Sequence, residues 1–226
     1  VEELLFLARD FHHDANSEFR NQLFKAVNPK DLTSLHTLYQ REYQQIPFSK
    51  DKQEHILNAI LIKSYMKAID ETITLTSEEE RVLHDYLFSV EIWGLYELSF
   101  FSSCSPLLSV QLLTKYTREM LRKSDFLQGV GKNRNMMHTL LLNAFMACIE
   151  IDDFTNALYF KKQIEKNFFE ENETYFRIVY LWAEGLLDSK QGRVEEGQRK
   201  MEDAIRIFEM IGCSRSADYY RSAMEC

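Results

Sequence analysis

Glycine and proline are scarce in this chain, with only 7 and 3 among its 226 residues. All-β proteins need a turn about every ten residues and place glycine and proline in many of these turns. The scarcity therefore argues against an all-β fold and favours long helices joined by short polar loops. Hydrophobic residues make up 45% of the chain and charged residues of both signs 27%, a composition that is not typical of disorder.

The chain also lacks an excess of positive charge and a long apolar run. Its formal net charge of −8 disfavours contact with phosphate backbones, so we do not expect these residues to bind nucleic acid directly. No apolar stretch reaches the roughly 18 residues that a membrane-spanning helix needs, and the start of the chain does not have the layout of a signal peptide. These absences predict a cytoplasmic protein without a membrane partner.

Residues that could carry chemistry do not converge in the sequence. The four cysteines stand apart, without the closely spaced pairs of a zinc site, and Cys148 lies in an apolar run, where we expect a buried hydrophobe. The adjacent His12 and His13 would point about 100° apart on a helix. The segment Gly129–Lys132 lacks the other residues of a phosphate-binding loop. We therefore predict no enzyme activity, no metal site and no cofactor.

Apolar residues recur with the helical period along nearly the whole chain. Ser77 with Glu80 predicts a capping box, Ser105 followed by Pro106 predicts a helix start, and Gly192 predicts a helix end. We expect about ten helices, paired as about five hairpins in an all-α superhelical stack of tetratricopeptide-like repeats. No linker interrupts the pattern, so we predict that residues 1–226 form a single domain.

A degenerate repeat supports this architecture. In the last full hairpin, small and apolar residues occupy the positions where the two helices would pack closely, namely Gly185, Gly192, Gly197, Met201 and Ala204. The tripeptide Leu57-Asn58-Ala59 recurs as Leu142-Asn143-Ala144, a separation of about two repeat periods. The exact repeat boundaries do not follow from the sequence.

The first helix of each stacked hairpin lines a concave surface, which we predict to bind a peptide. The groove-facing positions are Thr139, Leu142, Asn143 and Met146 in one hairpin and Val179, Trp182, Ala183 and Leu186 in the next. Arg134 and Asn135 lie at the mouth of the groove or form a solvated helix end. Apolar walls suit peptide side chains, and an amide can pair with a peptide backbone. Asn143 could equally bond to a neighbouring helix; Trp182 is the aromatic residue that we favour as a ligand contact.

Three stretches resemble the Rgg/GadR/MutR family of transcription regulators, and together the resemblance covers nearly the whole chain. They are SEEERVLHDYLFSVEIWGLYELSFF from Ser77 to Phe101, LLLNAFMACIEIDDFTNALYF from Leu140 to Phe160, and EGLLDSKQGRVEEGQRKMEDAIRIFEMIG from Glu184 to Gly212. The most specific piece is YLFSVEIWGLYEL, from Tyr86 to Leu98.

The resemblance implies a cytoplasmic homodimeric regulator with an N-terminal helix-turn-helix and a C-terminal tetratricopeptide-like domain. In quorum sensing, that domain binds a short imported peptide pheromone, here a hydrophobic one, and Asn143 corresponds to the expected groove asparagine. For the dimer contact we suggest Tyr219 and Tyr220, in a last helix that no further hairpin covers. We expect the helix-turn-helix to be absent from these residues, so that DNA is bound only through that domain.

A tetratricopeptide-type scaffold or adaptor that binds a protein tail is the alternative function. Such a protein would need Lys or Arg at several groove positions to hold a carboxylate. Here those positions are mainly apolar, which favours a hydrophobic peptide. A helical enzyme is the second alternative, and the lack of a converging acid, base or metal set argues against it.

Overall fold

The structure, a computed structural model, describes residues 15–27, 31–123, 131–167 and 171–224. Within these residues it contains eleven α-helices, one 3-10 helix and no β-strand. The predicted all-α fold class is therefore confirmed. His12 and His13, with part of the segment at residues 129–132, lie outside the described residues.

The helices are α1 (Ala15–Val27), α2 (Leu32–Gln45), α3 (Lys52–Lys67), α4 (Ser77–Ser89), α5 (Leu95–Cys104), α6 (Val110–Lys123), α7 (Gly131–Glu150), α8 (Phe154–Asn167), α9 (Thr174–Lys190), α10 (Val194–Met210) and α11 (Ser214–Ser222), with the 3-10 helix Ser105–Leu107 between α5 and α6. They belong to two compact units, Val1–Val90 and Glu91–Cys226, here called the N-terminal and the C-terminal unit. The single domain predicted for residues 1–226 stays a prediction.

In the N-terminal unit, each helix packs against the next, α1 on α2, α2 on α3 and α3 on α4. Leu35, Ile62 and Met66 are fully buried at the centre of an apolar cluster that α1 covers with Phe19 and Leu23. These residues follow the helical spacing of apolar positions, so each helix turns one stripe toward the same core.

A buried carboxylate joins three helices of this unit. Glu79 of α4 is fully buried and accepts hydrogen bonds from Lys63 Nζ at 2.6 Å and from the hydroxyl groups of Tyr39 and Tyr43, each at 3.0 Å. Burial acts to raise the pKa of Glu79, but the hydrogen bonds and the Lys63 charge hold it below its ordinary value. The carboxylate is thus kept ionised inside the unit.

The capping box of α4 lies one residue earlier than predicted. The Thr76 hydroxyl accepts from the Glu79 backbone N–H, and the Glu79 carboxylate accepts from the Thr76 backbone N–H at 2.7 Å. The prediction of Ser77 with Glu80 was wrong because Glu79 faces the interior, where Lys63 neutralises it, whereas Glu80 is exposed.

In the C-terminal unit, α7 pairs with α8 and α9 with α10, while α11 packs on α10. Helix α7 is central, because it also contacts α5, α6 and α9. Cys148 on α7 is fully buried, as predicted, and it forms no disulfide. The first helices of the two hairpins, α7 and α9, therefore lie side by side, as the repeat pattern requires.

Two glycines let α9 and α10 approach closely, as the sequence predicts. A Cβ atom on Gly185 would lie 2.6 Å from the carbonyl oxygen of Gly197, and a Cβ on Gly197 would collide with Ser189 and with the Gly185 carbonyl. Gly192, in the turn between the helices, has a φ of 88°, which favours glycine. The hairpin next to α7 is thus fixed by backbone contact.

The start of α6 differs from the prediction. Ser105 and Pro106 were expected to open this helix, but they lie in the 3-10 helix, and α6 begins at Val110. The Ser105 hydroxyl donates backward to the Ser102 carbonyl at 2.9 Å, whereas the Ser109 hydroxyl accepts from the α6 backbone. The tight connection between α5 and α6 places Ser105 beside α7.

Candidate functional site

An open cleft of about 410 Å³ lies in the C-terminal unit. Its walls are formed by the α5–α6 connection, α6, α7, α9 and α11. The lining residues are Ser105, Pro106, Leu108, Val110, Leu113, Asn143, Met146, Ala147, Glu150, Trp182, Tyr219, Tyr220 and Ala223. The structure thus brings together three predicted groove residues, Asn143, Met146 and Trp182.

One face of α7 forms a long wall of this cleft. Asn143, Met146, Ala147 and Glu150 are three or four positions apart, so they share a side of the helix. Helical periodicity counted onward from Asn143 and Met146 could have predicted Ala147 and Glu150. By contrast, Leu108 and the other residues from α6 and the α5–α6 connection lie outside the hairpin frame, and no repeat signal points to them.

The Asn143 side chain is weakly engaged. Its Nδ2 donates to the Ser105 Oγ at 3.4 Å, a distance beyond the usual range for such a bond. Within the described residues its side chain makes no second hydrogen bond. An amide offers two donors and a carbonyl acceptor, so most of its hydrogen-bonding capacity is available to a ligand in the cleft.

Aromatic rings form the apolar base of the cleft. Trp182 is 4% exposed, with its ring centroid 5.2 Å from that of Tyr220, which in turn stacks on Phe208. The Trp182 Nε1 atom is buried and has no hydrogen-bond partner among the described residues. Trp182 therefore contributes an apolar ring to the cleft lining.

The tyrosines proposed for dimerisation border the same cleft. Tyr220 is buried, and burial raises the pKa of its hydroxyl, which therefore stays protonated. Tyr219 is 67% exposed and packs edge to face on Tyr220. Only Tyr219 thus presents a large apolar surface outward from α11.

The other predicted groove residues do not line the cleft: Thr139, Leu142, Val179, Ala183, Leu186, Arg134 and Asn135. Leu142 and Val179 are buried in the helix packing. The Thr139 hydroxyl donates to the Asn135 carbonyl within α7 at 3.0 Å. Their role in ligand binding stays a prediction.

Arg134, expected at the groove mouth, is half-buried and pairs with a buried carboxylate. Its Nε lies 2.6 Å from Glu173 Oε1, and His138 Nε2 lies 3.2 Å from the same oxygen. Burial lowers the pKa of His138, although Glu173 opposes this effect. The guanidinium is thus paired with the residue that precedes α9, and this pair ties α7 to α9.

The described residues do not form a metal centre or a membrane-spanning helix. No group of three His, Cys, Asp or Glu residues in the described part of the chain is placed to hold a metal ion. In residues 15–27, 31–123, 131–167 and 171–224, no helix is long and apolar enough to cross a membrane.

The paired helices and the cleft beside their first members define an all-α protein of the helical-hairpin class. The family model for the C-terminal domain of the HTH-type transcriptional regulator Rgg matches residues 36–222. The chain therefore belongs to the Rgg family of transcription regulators. The family resemblance read from the sequence is thereby confirmed.

Solved structures agree with this assignment. Two crystal structures of the SHP pheromone receptor Rgg2 from Streptococcus dysgalactiae, one of them a Cys-to-Ser variant, are 25% identical to this chain, with TM-scores of 0.81 and 0.80. Each covers 96% of this chain, which spans 77% and 76% of the receptor chains. A structure from Listeria monocytogenes EGD-e, 18% identical, shares the fold, with a TM-score of 0.75 over 99% of this chain and 77% of that one.

Proposed function

We propose that this chain is the sensing domain of a cytoplasmic quorum-sensing transcription regulator and that it binds a short hydrophobic peptide around Asn143. The observation that carries the proposal is a largely uncommitted amide on an apolar cleft wall. Membership of the Rgg family and similarity to a pheromone receptor support it. Contact with DNA belongs to the helix-turn-helix domain of such regulators, since a net charge of −8 disfavours it here.

The cleft has the composition that a hydrophobic peptide needs. Leu108, Leu113 and Met146 offer apolar contacts for side chains, and Trp182 closes the base. Every peptide residue other than proline brings one backbone donor and one acceptor, and Asn143 can satisfy both. The cleft volume falls within the roughly 300–1,000 Å³ that is usual for ligand pockets.

The alternative, a scaffold that holds the carboxylate of a protein tail, is less well supported. In the described part of the chain, none of the residues that line the cleft is Lys or Arg. A terminal carboxylate would lose its hydration without gaining a cation, which is unfavourable. A hydrophobic peptide held along its backbone avoids that cost.

Filling the cleft tests this function directly. A screen of fluorescently labelled random octapeptides should yield a hydrophobic peptide that binds the wild-type chain in fluorescence polarisation. Ala147→Trp, which places a large ring in the cleft, should abolish that binding. Met210→Trp is the matched control, because Met210 is 79% exposed and lies away from the cleft.

Thermal melting, monitored by circular dichroism, establishes that both variants fold. If a folded Ala147→Trp chain kept the wild-type affinity for the peptide, the cleft would not be the binding site. Failure of the wild-type chain to select any peptide would contradict the proposed function itself.

Homodimerisation through the last helix is part of the proposal. Its support is the exposed ring of Tyr219 on α11, since an apolar surface at the end of a repeat stack needs a cap or a partner. Light scattering should give about twice the 26.8 kDa of the chain, and Tyr219→Ser should shift the equilibrium toward the monomer. A wild-type mass of 26.8 kDa at every concentration would contradict the dimer.

A further inference from the structure

Glu150 is the acidic residue in the lining of the cleft. It is the last residue of α7, it is exposed, and it lines the cleft, yet it has no ion-pair partner among the described residues. By comparison, two other acidic residues of the C-terminal unit are paired, since Asp152 lies 3.1 Å from Lys190 Nζ and Asp188 lies 2.6 Å from Lys200 Nζ. Glu150 therefore places an uncompensated negative charge at one end of the cleft.

The rest of the cleft lining does not balance the charge of Glu150. Among the described residues that line the cleft there is no Lys, Arg or His that could offset this charge. A ligand with a positive group can offset it, whereas a terminal carboxylate placed here would be repelled.

We propose that Glu150 makes the cleft selective for a hydrophobic peptide with a cationic group near one end. The group is either the N-terminal ammonium of the peptide or a Lys or Arg side chain. This inference rests on the proposed peptide-binding function and adds the charge and the direction of the ligand. The occupant is inferred from charge complementarity between this end of the cleft and the peptide.

The spacing along α7 gives a register for the bound peptide. Glu150 follows Asn143 by seven positions, which corresponds to roughly 10 Å along a helix. An extended peptide covers that distance in about three residues. The cationic group should therefore lie about three residues from the peptide group that pairs with Asn143.

Three peptides distinguish the two sources of the charge. All three derive from one parent peptide, the best binder from a library of octapeptides built from Leu, Ile, Val, Phe and Trp. Each carries a fluorophore at an amidated C-terminus. The first peptide has a free N-terminus, the second is N-acetylated, and the third is N-acetylated with Lys at its first position. Affinity is measured by fluorescence polarisation at low and at moderate salt.

Glu150→Gln should weaken binding of at least one cationic peptide by about two- to fivefold, the range of a partly exposed ion pair. It should leave the acetylated, uncharged peptide unaffected, and the loss should shrink as salt screens the pair. Glu150→Lys should make the uncharged peptide the better ligand. Glu195→Gln is the matched control, because Glu195 is exposed on α10 and lies outside the cleft.

The outcomes separate this inference from the function on which it rests. Equal affinities of wild-type and Glu150→Gln chains for all three peptides, with binding still blocked by Ala147→Trp, would overturn the role of Glu150 and leave peptide binding in place. Absence of binding of every peptide to the wild-type chain would overturn both.

Discussion

The tripeptide Leu-Asn-Ala occurs once in each unit, and the two copies are used differently. In both, the leucine and the alanine are buried. On α3, the Asn58 Nδ2 donates to the Glu42 carboxylate at 3.2 Å. On α7, the Asn143 Nδ2 reaches the neutral Ser105 hydroxyl at 3.4 Å and borders an open cleft. The same local sequence therefore gives a structural amide in one unit and an available one in the other.

The partner of each amide causes the difference. Glu42 is buried and also lies 2.8 Å from His55 Nδ1, and a buried carboxylate is costly unless hydrogen bonds compensate its lost hydration. Ser105 already donates its hydroxyl proton to a backbone carbonyl and loses little if Asn143 turns away. The N-terminal unit thus uses its polar groups to satisfy buried charge, whereas the cleft of the C-terminal unit leaves capacity for a ligand.

The largest effect should follow from removing the cation of the N-terminal unit. Lys63→Met leaves the fully buried Glu79 without its charged partner, which should cost about 3–5 kcal/mol of stability. Chemical denaturation measures the loss, while peptide affinity should be unchanged, because the cleft lies in the other unit. Lys67→Met, which removes a cation bonded to backbone carbonyls, is the matched control and should cost much less.

Acid should act on the same group. The pKa of Glu79 is held below its ordinary value of 4.5. The ionised carboxylate therefore stabilises the wild-type fold fully above about pH 4.5. This contribution to stability is lost as the pH falls further. The Lys63→Met chain should show a weaker dependence in this range. An identical acid dependence in both chains would contradict the role assigned to the ion pair.

A smaller loss is expected from Asn58→Ala. The change removes one donor to a buried carboxylate, which should cost about 1–3 kcal/mol without altering peptide affinity. Thermal melting beside a peptide titration makes the measurement. If Asn58→Ala weakened peptide binding as strongly as a change in the cleft, the contrast between the two asparagines would be wrong.

The sequence predicts helices better than it predicts the site. The apolar period and the glycines at 185 and 197 lead to the hairpins because these signals are local. The repeat frame predicted Asn143, Met146 and Trp182, because it specifies which face of the first helix in each hairpin lines the groove. Leu113 enters the cleft from a helix outside that frame, so its position depends on long-range packing that no local pattern encodes.

Local sequence signals also gave the wrong helix cap where a buried ion pair decides between two candidates. Ser77 and Glu80 fit a capping box as well as Thr76 and Glu79 do, since both pairs have the required spacing. The choice between them depends on Lys63, which is distant in sequence. In the same way, nothing in the sequence around Arg134 indicates that Glu173 pairs with it.

The measurement that tests the central claim most directly is Asn143→Ala, assayed for peptide affinity and for thermal stability. Peptide affinity should fall about five- to a hundredfold, because the peptide loses a buried hydrogen-bond partner worth about 1–3 kcal/mol. The melting temperature should stay close to that of the wild type, since the bond to Ser105 is long and neutral. Unchanged affinity together with reduced stability would contradict the account and make Asn143 a structural amide like Asn58.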